Sequence, residues 1–413
     1  MLKRLIIKII AIVIAIIFVL STGFWLGINF SSIKQLSNGN STTSLLGIGN
    51  QANRNQEQEF SLEPLEEAID LIVSSSIYQQ SKQQLLQNAI EGMLEGLDDK
   101  YAEYFTQEEY QEIIESYQGT MSGIGVIVTQ DEQERVVIVT VIEDTPASNN
   151  GLKEGDIISR VEDEPTLGLS LEKVVTKIKG EEGTDVNLTI YRPSEKESFE
   201  VDITRQKFYV PNVFSELIDG NIGYVQYIGF QDMGAEKLQQ QIKKLKDEGA
   251  EGIILDLRNN LGGILDDAVA VCDLFMDEGT IVIVKGRTED QERTSTYKAK
   301  EGVYTDIPLV ILVNEFSASA SELVAGALKE TGRATLVGET TFGKGTVQTI
   351  QELSNGGGLK FTTANYLLPS GESINEVGIE PDVKVELDLE AEEDTQLNRA
   401  KEVLNSMMDE NNG

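Results

Sequence analysis

The sequence predicts an α/β protein of several domains, and three observations carry that prediction. From residue 220 onwards, short apolar segments alternate with segments of helical periodicity, which is typical of a sheet covered by helices on both faces. Residues 119–205 instead contain several short β-branched segments around one amphipathic helix. Residues 5–28 form an apolar run whose only charged residue is Lys8. A chain of 413 residues is long enough for two or three domains.

The apolar run near the N-terminus is long enough to cross a bilayer. Lys3, Arg4 and Lys8 lie at its beginning, and such residues stay on the cytoplasmic side. We therefore expect a transmembrane anchor over residues 1–29, a single pass through the cell membrane, and an extracytoplasmic remainder. A cleaved signal peptide is the alternative, although no clear small-residue cleavage site follows and apolar residues continue to Ile28.

The rest of the chain divides by composition and periodicity. Ser, Asn, Gln and Gly dominate the stretch after the anchor, a composition typical of flexible linkers. Leu and Ile then recur at helical spacing, which predicts two or three amphipathic helices. Two copies of the chain could pair through the helices at 62–117 and 391–408, so we consider a homodimer. The predicted segments are a linker (30–60), a helical region (61–118), the β-rich unit (119–205), the α/β core (206–388) and an acidic helix (389–413).

Composition excludes several classes of function. The formal net charge is −35, and a chain this acidic is expected to repel nucleic acid. Cys272 is the only cysteine, so an intrachain disulfide and a cysteine-based zinc site are both excluded. The chain contains no histidine, so any serine nucleophile needs a different base. We expect no metal and no cofactor.

A run of small residues, Ser317-Ala-Ser-Ala-Ser-Glu322, follows an apolar strand and opens a helix. In α/β folds this is where reactive groups are presented, close to the free N–H groups of the helix. A serine here is therefore a candidate nucleophile, with lysine or a carboxylate as its base. The alternative is structural, because Ser319 and Glu322 have the spacing of a helix-capping box.

A single lysine between two glycines, Lys344, is the candidate base. A lysine accepts a proton at neutral pH only if burial lowers its pKa, and flanking glycines let the protein close around the amine. If residues 346–348 are extended, Gln348 lies on the same face and can orient the amine. The alternative is a surface lysine in a glycine turn.

Three further motifs were weighed. Gly262 and Gly263 end the DLRNNLGG segment at 256–263 and leave backbone N–H groups available for an oxyanion. Residues 338–344 match a phosphate-binding loop, but Gly345 stands where a magnesium-binding Ser or Thr is required, which argues against nucleotide hydrolysis. The Ser-x-x-Lys pairs at 31–34 and 170–173 lack the accompanying Lys-Thr-Gly and are interpreted as chance.

With these motifs the chain resembles the carboxyl-terminal processing peptidases, or tail-specific proteases, the S41 family of Ser/Lys serine peptidases. The resemblance covers about residues 62–405 and implies a crotonase-like α/β peptidase core. It further implies Ser319 as nucleophile, Lys344 as general base, Gln348 as its positioner, and the N–H groups of Gly263 and Ala320 as the oxyanion hole. The matching segments are SASASELVAGAL (317–328), TFGKGTVQ (341–348), DLRNNxGG (256–263) and GIEPD (378–382).

By the same resemblance, residues 119–205 are similar to a PDZ domain, a module that takes up a free chain terminus as an added strand. The implied substrates are proteins with apolar C-termini, cleaved near the tail. A PDZ-like insert without a ligand is the alternative for this unit. For the whole chain the alternatives are a non-catalytic PDZ scaffold at the membrane surface and an acyl-thioester enzyme of the crotonase type. The implied PDZ pocket consists of Gly123, Ile124, Gly125, Val126, Val175 and Ile178.

Overall fold

The computed structural model describes residues 61–286, 294–388, 390–391 and 393–412. The predicted anchor (1–29) and linker (30–60) lie outside these residues. Within the described part of the chain, no helix combines the length and the apolar character needed to cross a membrane. The described residues form two compact units, 61–104 and the residues from 105 onwards.

The first unit is helical, as the periodicity predicts. Helix α1 has a proline in its first turn, where the missing N–H costs no hydrogen bond. Helix α2 begins after Ser81, whose side chain accepts a hydrogen bond from the Gln84 N–H at 3.1 Å. Helix α2 thus has a side-chain cap, whereas Leu62, the N-cap residue of α1, provides none. Their bounds are α1 Glu63–Ser75 and α2 Lys82–Glu95, followed by the short strand β1 Glu103–Phe105.

In the second unit, a β-rich region follows helix α3 (Gln107–Tyr117). Its main sheet has the strand order β3-β4-β5-β7-β8, with β6 paired to β5, so β3 is an edge strand. Alternating Val, Ile and Leu of this sheet form a core that also takes in Val174 and Ile178 of helix α5. The elements are β2 Thr120–Gly123, β3 Val126–Gln130, β4 Val136–Val141, α4 Pro146–Asn149, β5 Ile157–Val161, β6 Glu164–Pro165, α5 Leu171–Ile178, β7 Asp185–Arg192, β8 Glu197–Thr204 and β9 Gln206–Tyr209.

The remainder of the unit is the α/β core, whose helices and strands alternate as predicted. Its central sheet has the order β10-β11-β12-β15-β16-β19. Only the pair β10 and β11 is antiparallel, and the other neighbours are parallel. The elements are β10 Val213–Ile218, β11 Ile222–Tyr227, α6 Gly234–Asp247, β12 Gly252–Asp256, α7 Leu265–Phe275, β13 Thr280–Lys285, β14 Thr294–Lys298, β15 Leu309–Val313, α8 Ala320–Glu330, β16 Thr335–Gly338, β17 Thr346–Glu352, β18 Gly358–Leu367, β19 Val383–Lys384 and α9 Thr395–Asn412.

Both faces of the central sheet are buried, which explains its continuously apolar strands. On one face, Ile253, Leu255 and Ile311 pack in a cluster with residues of α6, α7 and α8. On the other face, Ile254 and Leu312 pack with Ala400, Leu404 and Met408 of helix α9. The last helix is therefore part of the core.

Two predicted assignments are wrong in detail. The apolar alternation predicts β13 in the same sheet as its neighbours, but it pairs with β14 and β18 in a second, antiparallel sheet. The apolar sequence of a strand does not indicate which strands it pairs with. Helix α9 begins at Thr395 instead of residue 391. The Asp394 carboxylate accepts a hydrogen bond from the Leu397 N–H at 2.9 Å and so fixes this start.

Candidate active site

The candidate site lies where the parallel strands of the central sheet end. Strand β12 leads into the 256–263 loop, β15 leads to Ser319, and the segment after β16 leads to Lys344. Because β12, β15 and β16 are adjacent and parallel, these three segments leave the same edge of the sheet. Ligands and reactive groups of α/β folds gather at this edge.

Ser319 forms a sharp turn between strand and helix. It directly precedes α8 and has φ 55° and ψ −113°, a conformation that L-residues other than glycine rarely adopt. An ordinary N-cap residue has an extended backbone, so capping alone does not account for this geometry. A strained turn that presents a serine hydroxyl at the end of a strand is the arrangement of a nucleophile elbow.

The two neighbouring serines have structural roles. The Ser317 hydroxyl donates to the Leu257 carbonyl at 2.9 Å, and the Ser321 hydroxyl donates to the Asn260 carbonyl at 2.8 Å. Both serines are fully buried, whereas Ser319 is half-buried. The run therefore uses its outer serines to attach the turn to the 256–263 loop and presents the middle one.

Glu322 connects the turn at Ser319 to the loop that carries Lys344. Its carboxylate is fully buried, and Oε1 accepts from the Thr341 hydroxyl at 2.6 Å and the Gly343 N–H at 2.7 Å. Oε2 accepts from the Ser319 N–H at 2.9 Å and the Lys344 N–H at 2.8 Å. One oxygen atom thus holds the backbone N–H groups of both candidate catalytic residues. The sequence indicated only the capping half of this arrangement.

The predicted oxyanion hole is assembled around two glycines. A side chain on Gly262 would lie 2.9 Å from the Ala320 nitrogen, so the glycine loop packs against the start of α8. Gly263 is exposed and forms an isolated parallel bridge with Phe230. That bridge uses the Gly262 carbonyl and the N–H of the residue after Gly263, so the Gly263 N–H points away from it. Asn260, fully buried, supports the turn by accepting from the Gly262 N–H at 2.9 Å.

Lys344 and Gln348 follow Thr341 and Gly343, the two residues bound by Oε1 of Glu322. Lys344 is half-buried between two buried glycines. Gln348 is half-buried on β17, and its side-chain amide donates to the hydroxyls of Thr346 at 2.8 Å and Thr362 at 3.3 Å. The register of β17 with β18 shifts between residues 347 and 348. The regular alternation that we assumed for these residues is therefore interrupted by a bulge.

Two buried carboxylates lie on either side of Gly262 and Gly263 along the chain, Asp256 at the end of β12 and Asp267 on α7. Arg258 pairs with Asp256 (2.6 Å) and Asp394 (3.0 Å). Burial opposes the charge of Arg258, but the two aspartates raise its pKa above the ordinary value. Asp267 accepts from the Tyr227 hydroxyl, and burial raises the pKa of Asp267 to about 6. Neither Arg258 nor Asp267 stands out in the sequence, because Asp394 and Tyr227 lie 136 and 40 residues away from them along the chain.

In the predicted PDZ pocket, residues 123–126 form a tightly packed turn. Gly125 has φ 87°, and a side chain on it would lie 2.2 Å from the Cβ of Thr145, so glycine is required there. Gly123 is buried at the end of β2. The Ile124 carbonyl accepts from the Ala147 N–H at 2.7 Å. These contacts hold the loop between β2 and the edge strand β3.

The apolar residues of the predicted pocket fall into two classes. Ile124 and Ile178 are buried in the core of the β-rich unit, at 2% and 6% exposure. Val126 on β3 and Val175 on α5 are half-buried and pack against that core. The structure therefore places Val126 and Val175 nearer the surface, with the two isoleucines beneath them.

Comparisons with known proteins identify the family of the chain. A carboxy-terminal-processing protease of Bartonella bacilliformis is 40% identical over 309 residues, 74% of this chain and 70% of its own length. Carboxy-terminal processing protease CtpA of Bacillus subtilis is 38% identical over 317 residues, 76% of this chain and 67% of its own. A solved structure of an S41 protease from Bacteroides fragilis covers 82% of this chain and 97% of its own at 16% identity and a TM-score of 0.51, which shows the fold alone.

Family models match three parts of the chain. They are the activating protease CtpB N-terminal domain over residues 18–109, a PDZ domain over 122–203 and peptidase family S41 over 221–385. The last match contains the 256–263 loop, Ser319 and Lys344. The resemblance inferred from the sequence is thereby confirmed, and the chain belongs to peptidase family S41, as a serine peptidase of the carboxy-terminal processing type with a PDZ domain.

Proposed function

We propose that the chain is a membrane-anchored endopeptidase outside the cytoplasm. It binds protein substrates by their apolar C-termini in the PDZ domain and hydrolyses a peptide bond near the tail with Ser319 and Lys344. The observation that carries the catalytic part is the Oε2 atom of Glu322, which accepts hydrogen bonds from the N–H groups of both residues. A buried carboxylate that binds both turns supports a joint role for Ser319 and Lys344.

In the proposed reaction the Ser319 hydroxyl attacks the carbonyl carbon while its proton passes to the neutral amine of Lys344. The Gly263 and Ala320 N–H groups stabilise the negative charge on the carbonyl oxygen. Lys344 then gives its proton to the leaving amine as the peptide bond breaks, which leaves an acyl ester on Ser319. A water molecule, deprotonated by Lys344, hydrolyses that ester and restores the serine. Gln348, held by its two threonine contacts, orients the amine.

The proposed binding of tails relies on the edge strand of the PDZ sheet. Strand β3 has one neighbour, β4, in that sheet, so its other side can pair with an extended peptide. The loop from Gly123 to Val126 leads into this strand and would receive the terminal carboxylate. Val126 and Val175 would contact the last side chain, above Ile124 and Ile178.

Two peptides of identical sequence with an apolar last residue, one ending in a carboxylate and the other in an amide, test this function. We expect the enzyme to cleave both, with a KM about tenfold higher for the amide and a similar kcat, because the PDZ domain contributes binding and not chemistry. Product masses and initial rates provide the measurement. Val175→Asp should reduce the difference between the peptides, whereas Thr176→Asp, on the exposed side of the same helix, should preserve it.

The Ser319→Ala variant is the control for contaminating proteases and should give no product. Equal KM values for the two peptides would contradict the proposed recognition of C-termini. Cleavage by Ser319→Ala at the parental rate would contradict the proposed nucleophile. The two halves of the proposal can therefore fail separately.

The anchor is proposed from the apolar run at residues 5–28 and the basic residues before it. We expect the full chain to sediment with membranes and to remain there after a carbonate wash, whereas a variant lacking residues 5–28 should be soluble. Recovery of the full chain in the soluble fraction would contradict the anchor. Pairing of two copies through the helices at 62–117 and 391–408 stays a prediction of the sequence.

A further inference from the structure

Tyr366 contacts both turns that carry the proposed catalytic pair. It lies on β18, and only 2% of its surface is exposed. Its hydroxyl lies 2.9 Å from the Ser319 carbonyl oxygen and 2.5 Å from the Lys344 carbonyl oxygen. Its backbone N–H donates to the Gly345 carbonyl at 3.0 Å. Since a phenol has a single proton, one hydroxyl donor is shared between the carbonyl groups of the nucleophile and of the base.

This contact complements the one made by Glu322. A single carboxylate oxygen accepts from the N–H groups of Ser319 and Lys344, and a single hydroxyl approaches their carbonyl groups. Glu322 therefore binds the N–H groups of Ser319 and Lys344, and Tyr366 contacts the carbonyl groups of the same two residues. The two residues come from turns that follow different strands, β15 and β16, so their separation depends on contacts of this kind.

The backbone of Ser319 also needs support on its C-terminal side. With φ 55° and ψ −113°, this residue stays in its conformation only if the surroundings hold it. The Glu322 carboxylate holds its N–H, and the Leu323 N–H (2.9 Å) and the Tyr366 hydroxyl hold its carbonyl. The helix contact fixes the turn to α8, whereas Tyr366 fixes it to the sheet that carries the lysine loop.

We propose that Tyr366 is a positioning residue, whose hydroxyl sets the distance between the Ser319 hydroxyl and the Lys344 amine by binding the main-chain carbonyl groups of both. The proposal rests on the Ser319 and Lys344 chemistry proposed above. It differs from a merely structural role, in which the hydroxyl satisfies two buried carbonyl groups and the reaction is indifferent to its loss. A misplacement of reacting groups by about 1 Å lowers the rate about 100-fold.

The test compares Tyr366→Phe with Tyr304→Phe. Tyr304 is also buried, at 8% exposure, and its hydroxyl donates to a backbone carbonyl, that of Gln239, at 3.0 Å, but it lies outside the proposed site. Each variant loses one buried hydroxyl and keeps its ring. We expect Tyr366→Phe to lower kcat about 10- to 100-fold with KM within about twofold of the parent, and Tyr304→Phe to leave both constants close to parental.

Activity is measured on the tail peptide at a temperature where circular dichroism shows both variants folded. A kcat for Tyr366→Phe less than about tenfold below that of Tyr304→Phe would overturn the proposal. So would failure of Tyr366→Phe to fold under conditions where Tyr304→Phe folds, because the hydroxyl would then serve the stability of the whole core. Ser319→Ala and Lys344→Ala, measured beside them, distinguish a failure of the catalytic pair itself from a failure of Tyr366 alone.

Discussion

Lys344→Ala should lower kcat/KM by about 1,000-fold or more while the protein remains folded. In the proposed mechanism the amine is the only group that removes the serine proton, since the chain has no histidine. The side chain is half-buried, so its removal should change the stability little. Lys344→Arg is expected to be equally inactive, because a guanidinium group keeps its proton at any pH at which the protein is folded. Steady-state kinetics on the tail peptide measure both effects.

Lys384→Ala is the matched control for this experiment. Lys384 is exposed on the short strand β19 and has no part in the proposed reaction, so its kinetics should equal those of the parent. Activity of Lys344→Ala within about tenfold of the parent would assign the base to another group.

Glu322→Gln is expected to damage both activity and stability. The buried carboxylate accepts four hydrogen bonds, from one hydroxyl and three backbone N–H groups. An amide keeps one oxygen and directs its NH₂ group at donors, which leaves buried N–H groups without acceptors. We expect the free energy of unfolding to fall by about 2–4 kcal/mol. We also expect kcat to fall about 100-fold, because Ser319 and Lys344 lose their common anchor.

Asp156→Asn separates these two effects. Asp156 is a buried carboxylate in the PDZ domain that binds Arg192 through both oxygens, at 2.8 and 2.7 Å. Its loss should destabilise the protein by a similar amount without changing kcat on a peptide. Chemical denaturation and kinetics are measured on both variants below their unfolding transitions. If Glu322→Gln were destabilised but retained the parental kcat, Glu322 would be a structural residue only.

The sequence predicted most of the elements of the core because each is set by local properties. Strands β11, β12 and β15 lie within one residue of the segments 222–227, 252–257 and 308–313 that the sequence predicts as strands, since both faces of the sheet are buried and their residues are mostly apolar. The start of α8 directly after Ser319 was predictable from the small residues between β15 and α8. The candidate motifs are local as well, so the serine run, Lys344 and the 256–263 loop could be singled out from their neighbours, and the family resemblance then implied Ser319.

What the sequence did not predict depends on contacts between distant segments. The partners of β13 and the bulge before Gln348 are properties of the second sheet. Tyr366 stands in a strand of mostly half-buried residues, and nothing near it in the sequence indicates that its hydroxyl reaches two other turns. Asp394 is one of many acidic residues near the end of the chain, and only the structure shows that it pairs with Arg258.

The ion pair between Arg258 and Asp394 attaches the 256–263 loop to a segment far along the chain. The guanidinium follows β12, beside the loop that would receive the developing negative charge, yet one of its two carboxylates is 136 residues further along the chain. Because a chain is synthesised from its N-terminus, the candidate site residues Ser319 and Lys344 emerge before Asp394. We expect Arg258 to lack this second carboxylate until residue 394 has emerged and folded against the core.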